Sequence, residues 1–563
     1  MPAKAARCRE IGSGRFVLGP TGMASKSDSR ERNEFCKFAS NSIIMFKYAL
    51  ATLLSGFVLT AASAQSTSKP TGKQPGRLAP PRPMAPVAKL PESSITRAEV
   101  EAHTRFLASD ELQGRRTGEP GNWIAARYLA EQFRELGLKP APGQSNYLQT
   151  IELERVVPAR SATLQIGSTT LELGKDLVVM AGGPIDATGE VVYVGYGLTD
   201  GEDGYKGQDV KGKIVVAQGG SPDAKGPREL FNASNTKRKL ASEKGAAALL
   251  ELYSESIPWG FVNQYFNREQ VAIPVTAGGA GAGLSHVWVN NANNQYKQLK
   301  DPGQRITLRS SGRTRTSVTS ANVAGLIEGT DPKLKDEYVL LTAHFDHVGV
   351  GKQGGQSYSP SDSIFNGARD NAFGTVALLT AAKSLSEQRP KRSVLVVALT
   401  GEEVGLLGSR YYAEHPLVPL KQTVFNLNTD GAGYNDTTIV SVIGLERTGA
   451  KTEIETAAKA FGLEVFAEPA PEQGLFDRSD NVNFAIKGIP APTFSPGFKS
   501  FDEAIAKYYH QAIDNPESLD YGYVLKFCQA YAHAARLIAN RPNRPQWSPG
   551  DKYEPAAKAL YGL

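Results

Sequence analysis

The chain has 563 residues, 40% of them hydrophobic, with 63 Lys or Arg against 57 Asp or Glu and a formal charge of +6. That length predicts two or three domains, and the apolar fraction is enough for a sizeable core, which excludes a disordered or fibrous chain. Residues 1–64 hold nine of the basic and four of the acidic residues, so the remainder is close to neutral and carries no electrostatic footprint for nucleic acid.

Residues 1–44 are polar and basic without periodicity and read as an extension upstream of the true start. Met45 opens MFKYALATLLSGFVLTAASAQS. Lys47 gives a charged head, residues 49–60 a short apolar run, and Ala62-Ser63-Ala64 a small-residue cleavage site. This pattern predicts a secretory signal peptide over 45–64, cut before Gln65. The run is too short for a normal membrane span. The expectation is an exported protein, periplasmic or extracellular, with no stable span after cleavage. Cys8 and Cys36 leave with the leader. Cys528 remains, inside a predicted helix, as a small buried apolar residue.

Residues 65–93, rich in Pro, Ser and Lys, read as a linker. From Ser94 the pattern turns helical. Thr96 to Glu99 matches a capping box, a helix runs on to Leu107, and a second covers 122–136, ending at Gly137. A polar, glycine-containing loop over 108–120 joins them. From Tyr147 to about Ser317 the texture is short β-like runs (162–166, 189–194, 213–218), with one helix over 235–244 leading into the apolar 246–252. This predicts a separate β-rich module over 158–317, inserted into a domain made of 94–157 and 318–545. Its aromatic stretch, Trp259, Phe261, Tyr265 and Phe266, either faces substrate or packs on its own domain. Gly279, Gly281 and Gly283 have GxGxG rather than GxGxxG spacing with no helix after them, and read as an ordinary loop.

From Ser320 strand and helix alternate: strands over 337–343, 393–399, 423–428 and 463–467, helices over 371–386, 451–461 and 521–539. The predicted fold class is α/β, a mixed, largely parallel central sheet with helices on both faces. Residues 546–563 read as a surface tail.

Ligand-type residues recur at one edge of that sheet. The first of these strands runs into His344-Phe345-Asp346, the second into Glu402-Glu403, the third into Asp430. Asp370 opens the helix after the first strand, and Tyr509-His510 precedes the last helix. Singly each has a plain explanation: a half-buried histidine, a helix N-cap at Asp370, an Asp-Gly turn at Asp430. Together they point to a metal site outside the carboxyl ends of the strands. Adjacent glutamates repel unless a cation lies between them. Two imidazoles and three carboxylates, with no thiol, suit zinc, with manganese or cobalt as substitutes. They exceed what one catalytic zinc takes and fit two metals sharing a carboxylate.

AHFDH, GARDNAFG, EEVGLLGS, NTDGAG, RSDN and YHQAIDN, in this order, resemble the co-catalytic di-zinc aminopeptidase and glutamate carboxypeptidase family. The β-rich insertion resembles a protease-associated domain. The resemblance implies that Asp370 bridges two zinc ions, His344 and Asp430 complete one, and Glu403 and His510 the other. It makes Glu402 the general base, has Asp346 hydrogen-bond the His344 imidazole, and lets Tyr509 donate to the oxyanion. Asp480 of RSDN is a supporting or structural residue. Phe373 stands where the family more often has a small residue. His347 has no family role and reads, with His103, His286, His415 and His533, as structural or exposed. The implied activity is hydrolysis of peptides with a free N-terminus. The alternatives are a carboxypeptidase or dipeptidase, with Arg369, Arg410 and Arg478 as carboxylate-binding candidates, and a catalytically silent binding protein.

Overall fold

Strands buried on both faces read as unbroken apolar runs, and SVLVVAL over 393–399 lies near the middle of one large sheet. The computed structural model describes residues 90–563 other than 202–203, 223–226, 256, 275–282 and 356. The predicted leader, nearly all of the linker and most of the Gly279–Gly283 loop lie outside the described residues.

The chain enters through α1 (Arg97–Leu107), whose capping box forms as predicted: the Glu99 N–H donates to the Thr96 hydroxyl and the Thr96 N–H to the Glu99 carboxylate. α2 (Pro120–Glu135) and β1 (Leu148–Val157) follow. The β-rich segment contributes α3 (Pro227–Glu243), α4 (Trp259–Phe266) and β2 (Gln270–Ala272). Then come β3 (Thr314–Ile327), β4 (Tyr338–His344), α5 (Phe373–Glu387), β5 (Ser393–Leu399), α6 (Leu407–Glu414) and β6 (Thr423–Thr429). β7 (Ile439–Ile443), α7 (Lys451–Ala460), β8 (Glu464–Ala467), α8 (Asn481–Ile486), β9 (Thr493–Pro496), α9 (Tyr521–Asn540) and α10 (Glu554–Tyr561) complete the chain.

The main sheet runs β8-β7-β9-β6-β4-β5-β3-β1-β2. β4 is parallel to both β5 and β6, and β6 to β9. β3 is antiparallel to β5 and β1, and β7 to β9. The sheet is thus parallel at its centre and antiparallel on its flanks. Val394, Val396 and Ala398 join a core with α1, α2, α5, α7 and α9, while Leu395, Val397 and Leu399 face the opposite core with α6, α8 and α10. The period-2 alternation of a strand divides one apolar run between two helical layers.

Residues 546–563 are not a surface tail. Trp547 is buried, its indole N–H donates to the Gly488 carbonyl at 3.0 Å, and α10 packs Ala557 into the same core. α10 is only eight residues long, too short for its periodicity to stand out in the sequence.

The β-rich segment forms a separate eight-stranded sheet with its own core. Its α4 leads into β2, which leaves that sheet and pairs antiparallel with β1 at the edge of the main one. The expected junction at residue 317 falls inside β3, which pairs with β1 along ten positions, from Thr314–Val157 to Val323–Leu148. Among the described residues no helix is long and apolar enough to cross a membrane.

Candidate metal centre

Adjacent parallel strands end at the same edge, so β4, β5 and β6 deliver their following residues to one place. His344 ends β4, Glu402 and Glu403 lie just past β5, and Asp430 directly follows β6. Asp370 comes from a π-helical turn, Ala368–Ala372, that opens α5. His510 comes from the loop before α9 and holds a left-handed φ of 52°. Gly367, with φ of 60°, begins the Asp370 turn; a Cβ there would collide with the Asp370 carbonyl and the His347 ring.

The five expected ligands converge. His344 Nε2 lies 3.1 Å from Asp430 Oδ1 and 3.5 Å from Asp370 Oδ1. His510 Nε2 lies 3.2 Å from Asp370 Oδ2 and 3.0 Å from Glu403 Oε2. Asp370 therefore turns one oxygen to each histidine and is not spent as an N-cap. Tetrahedral bonds of about 2.0–2.1 Å place ligand atoms about 3.3 Å apart, so these spacings fit a cation on either side of Asp370. Two groups of ligand atoms, each within 4.8 Å, share that residue: His344, Asp370 and Asp430, and His347, Asp370, Glu403 and His510.

His347 was expected to be structural or exposed, and it belongs to the site. It is buried with Nδ1 2.8 Å from Glu403 Oε1. The signal was its place three residues after His344, but a loop has no period to show which side chains turn inward. Asp346 also differs from expectation. Its carboxylate is 3.7 Å from His344 Nδ1, too long for a hydrogen bond. It accepts instead from the Thr117 hydroxyl at 2.9 Å and from the backbone N–H groups of Glu402 and Glu403 at 3.1 and 3.3 Å. Its carboxylate fixes the glutamate loop, and the His344 imidazole is met instead by the Asp346 backbone carbonyl, 3.3 Å from Nδ1.

The two neighbouring glutamates are driven apart. Burial, reinforced by Asp430 and Glu403, holds Glu402 well above the usual carboxyl range. At Glu403 burial is outweighed by the His510 charge and by hydrogen bonds from His347 and His510, and the carboxyl sits well below that range. Two neighbouring carboxyls with opposed environments are suited to different tasks. Burial pushes the Tyr509 hydroxyl up to about 12 and the Asp480 carboxyl to about 7.

Two buried arginines hold the loops. Arg115 donates to the carbonyls of Phe345 at 2.7 Å, Asn366 at 2.5 Å and Gly367 at 3.0 Å, and to that of Leu107. It ties the His344–His347 loop to the Asp370 turn, a role that no local pattern around residue 115 marks. Arg369, expected as a carboxylate binder, pairs with Asp514 at 3.1 Å and lies over the Tyr508 ring at 3.6 Å. It joins the Asp370 turn to the His510 loop and lines neither of the cavities beside the centre.

Those two cavities meet at Glu402, Arg478 and His510. The smaller, about 80 Å³, is walled by Ile443, Leu475, Phe498 and Phe501, with Asp370, Asp430 and Tyr509 on its floor. The larger, about 630 Å³, is bordered by Arg116, Tyr265, Arg268, Glu269 and Arg410. Of the aromatic stretch only Tyr265 lines the larger cavity, while Trp259 and Phe266 pack on the module's own core.

Fold and site together outline a candidate metal centre at the strand ends of an α/β sheet. Residues 322–535 match the model of Peptidase family M28. Aminopeptidase YwaD of Bacillus subtilis (strain 168) is 26% identical over 312 residues, 53% of this chain and 59% of that protein. A vacuolar membrane protease of Saccharomyces cerevisiae is 35% identical over 118 residues, 21% of this chain and 10% of that protein. The chain thus spans less than two thirds of the length of either relative. The structure of an aminopeptidase from Aneurinibacillus sp. strain AM-1 aligns over 82% of this chain and 98% of that one, at 20% identity and a TM-score of 0.52, which shows a shared fold.

Proposed function

We propose that the chain is a zinc-dependent aminopeptidase that hydrolyses the first peptide bond of substrates with a free N-terminus. The observation that carries this is the small cavity. Its 80 Å³ takes one apolar side chain and not a length of peptide, and Asp370, Asp430 and Glu402 border it where a free ammonium would sit. Removal of one residue at a time follows from that size. YwaD, matched over 312 residues, is itself an aminopeptidase.

In this reading His344, Asp370 and Asp430 would hold one zinc ion, and Asp370, Glu403 and His510 would hold a second. Zinc bound there supplies Lewis acidity, which makes water a nucleophile near neutral pH. Glu402, buried and bordering both cavities, takes the proton of the attacking water and returns it to the leaving amine. The Tyr509 hydroxyl, protonated at neutral pH, donates to the developing oxyanion. Asp346 holds Glu402 and Glu403 by their backbone, and His347 orients Glu403. Export through residues 45–64 is part of the same proposal; N-terminal sequencing of the secreted protein should begin at Gln65, and a start well upstream would refute it.

The test compares matched peptides with free and acetylated N-termini, using zinc-loaded protein. Cleavage of the free peptides alone is expected. Cleavage of blocked peptides from the carboxyl end would move the chain to carboxypeptidase action. Two ions per chain without cleavage of either would leave a binding role.

A further inference from the structure

We infer that the larger cavity is a carboxylate-recognising site for the leaving side of the substrate. Only the side of the bond assigned to it rests on the aminopeptidase reading. If one residue fills the small cavity, the rest of the peptide passes Glu402 and Arg478 into the larger one, since these residues border both.

Four arginines line that cavity from four separate segments. Arg116 precedes α2, Arg268 lies between α4 and β2, Arg410 is on α6, and Arg478 precedes α8. They are not a local basic run, and without its first 64 residues the chain is nearly neutral. General basicity therefore does not explain their meeting. Like charges gathered round one cavity repel each other unless an anion lies among them.

The anions already present do not satisfy them. Glu269 lies 3.6 Å from Arg116 and 3.4 Å from Arg155, which also pairs with Glu119 at 2.6 Å, so one carboxylate serves Arg116 and none is left for the other three. Glu402 and Glu403 belong to the metal centre. Among the described residues Arg268, Arg410 and Arg478 form no ion pair. Arg268 is held over the Tyr265 ring at 4.9 Å, which orients the guanidinium and leaves its N–H groups available. A planar fork of donors suits a carboxylate, bound through two parallel hydrogen bonds. That carboxylate is either the C-terminus of a very short peptide or an acidic second residue.

β2 explains how Arg268 comes to be there. By pairing with β1 it draws residues 265–272 of the module to the rim of the main domain. The module thus supplies a selectivity element and none of the expected metal ligands.

The test is calorimetry on the zinc-loaded Glu402→Gln variant with four ligands: Leu-Gln amide, Leu-Glu amide, Leu-Gln free acid and Leu-Lys amide. A carboxylate should tighten binding about tenfold over Leu-Gln amide, and Leu-Lys amide should bind weakest. Tighter binding of Leu-Glu amide marks recognition of an acidic side chain. Tighter binding of Leu-Gln free acid marks recognition of the terminal carboxylate. Arg268→Gln and Arg410→Gln, each added separately, should shrink the ratio of carboxylate to amide. Equal affinity for the four ligands, or a preference for the lysine ligand, would overturn the inference. Wild-type hydrolysis of the same series separates the two readings. No hydrolysis with carboxylate-dependent binding sinks the aminopeptidase reading alone, and hydrolysis with no carboxylate dependence sinks the cavity inference alone.

Discussion

Of two buried clusters of charge among the described residues, the Glu251 group of the β-rich module and the carboxylates at the strand ends, only the second needs a partner from outside. In the β-rich module Glu251 accepts from the Lys237 ammonium at 2.7 Å, the Trp288 indole at 3.2 Å and the Ser234 hydroxyl, with His286 Nε2 at 2.8 Å. Burial lowers the His286 pKa, so one cation and one anion remain and cancel. At the strand ends Asp370, Glu402, Glu403 and Asp430 gather with three histidines and no lysine. The nearby Arg115 is engaged with carbonyls. Burial alone does not mark a functional site. An excess of carboxylates over the chain's own cations does.

The comparison can be broken in several ways. The largest expected effect is chelation: activity should vanish and return with zinc, while the module's cluster is untouched; activity that survives exhaustive chelation would end the metal reading. Glu402→Gln should lower kcat about a thousandfold with metal content unchanged, which elemental analysis alongside kinetics checks. Lys237→Met strands a buried carboxylate and should cost about 3–5 kcal/mol in denaturant unfolding, without altering metal content. Arg115→Lys loses the multiple grip on the loops and should weaken metal binding about 10–100-fold, measured by competition with a chromophoric chelator.

The smallest effect is a pair of opposed pH slopes. Without metal, carboxylates around His344 and His510 outweigh burial and hold both pKa values well above 6.5. Stability from them is present below pH 6.5 and is lost as pH rises through the higher folded values. Glu251 is held at about 2 against an ordinary 4.5, burial being outweighed by Lys237 and His286. Its contribution is present above pH 4.5 and is lost as pH falls toward 2. Thermal melts of metal-free protein should therefore weaken above pH 6.5, and zinc should flatten that slope alone.

Much of this was legible in the sequence for a physical reason. Strands ending in His344, Glu402-Glu403 and Asp430 are adjacent only if the sheet is parallel there, and the unbroken apolar runs announced that. What local patterns cannot show is what loops do at a distance. Thr117 and Arg115 lie in a polar loop over 108–120 that reads as a connector, yet they hold Asp346 and the backbone beside the ligands. The arginines of the larger cavity come from segments 68 to 362 residues apart, and only folding brings them together. Trp547 stands alone in a polar stretch and α10 spans only eight residues, too short for a period to stand out, so their burial was missed.

The three-residue strand β2 also bears on how this protein stays in solution. β1 is ten residues long, and an uncovered edge of that length invites pairing with another chain. β2 occupies the stretch of that edge at Glu154, Arg155 and Val156, and at the far end of the sheet the edge strand β8 is only four residues long. A trimmed protein lacking the module would lose that cover and is expected to self-associate, visible as concentration-dependent light scattering. Point substitutions in the module are therefore a cleaner probe of its role than its deletion.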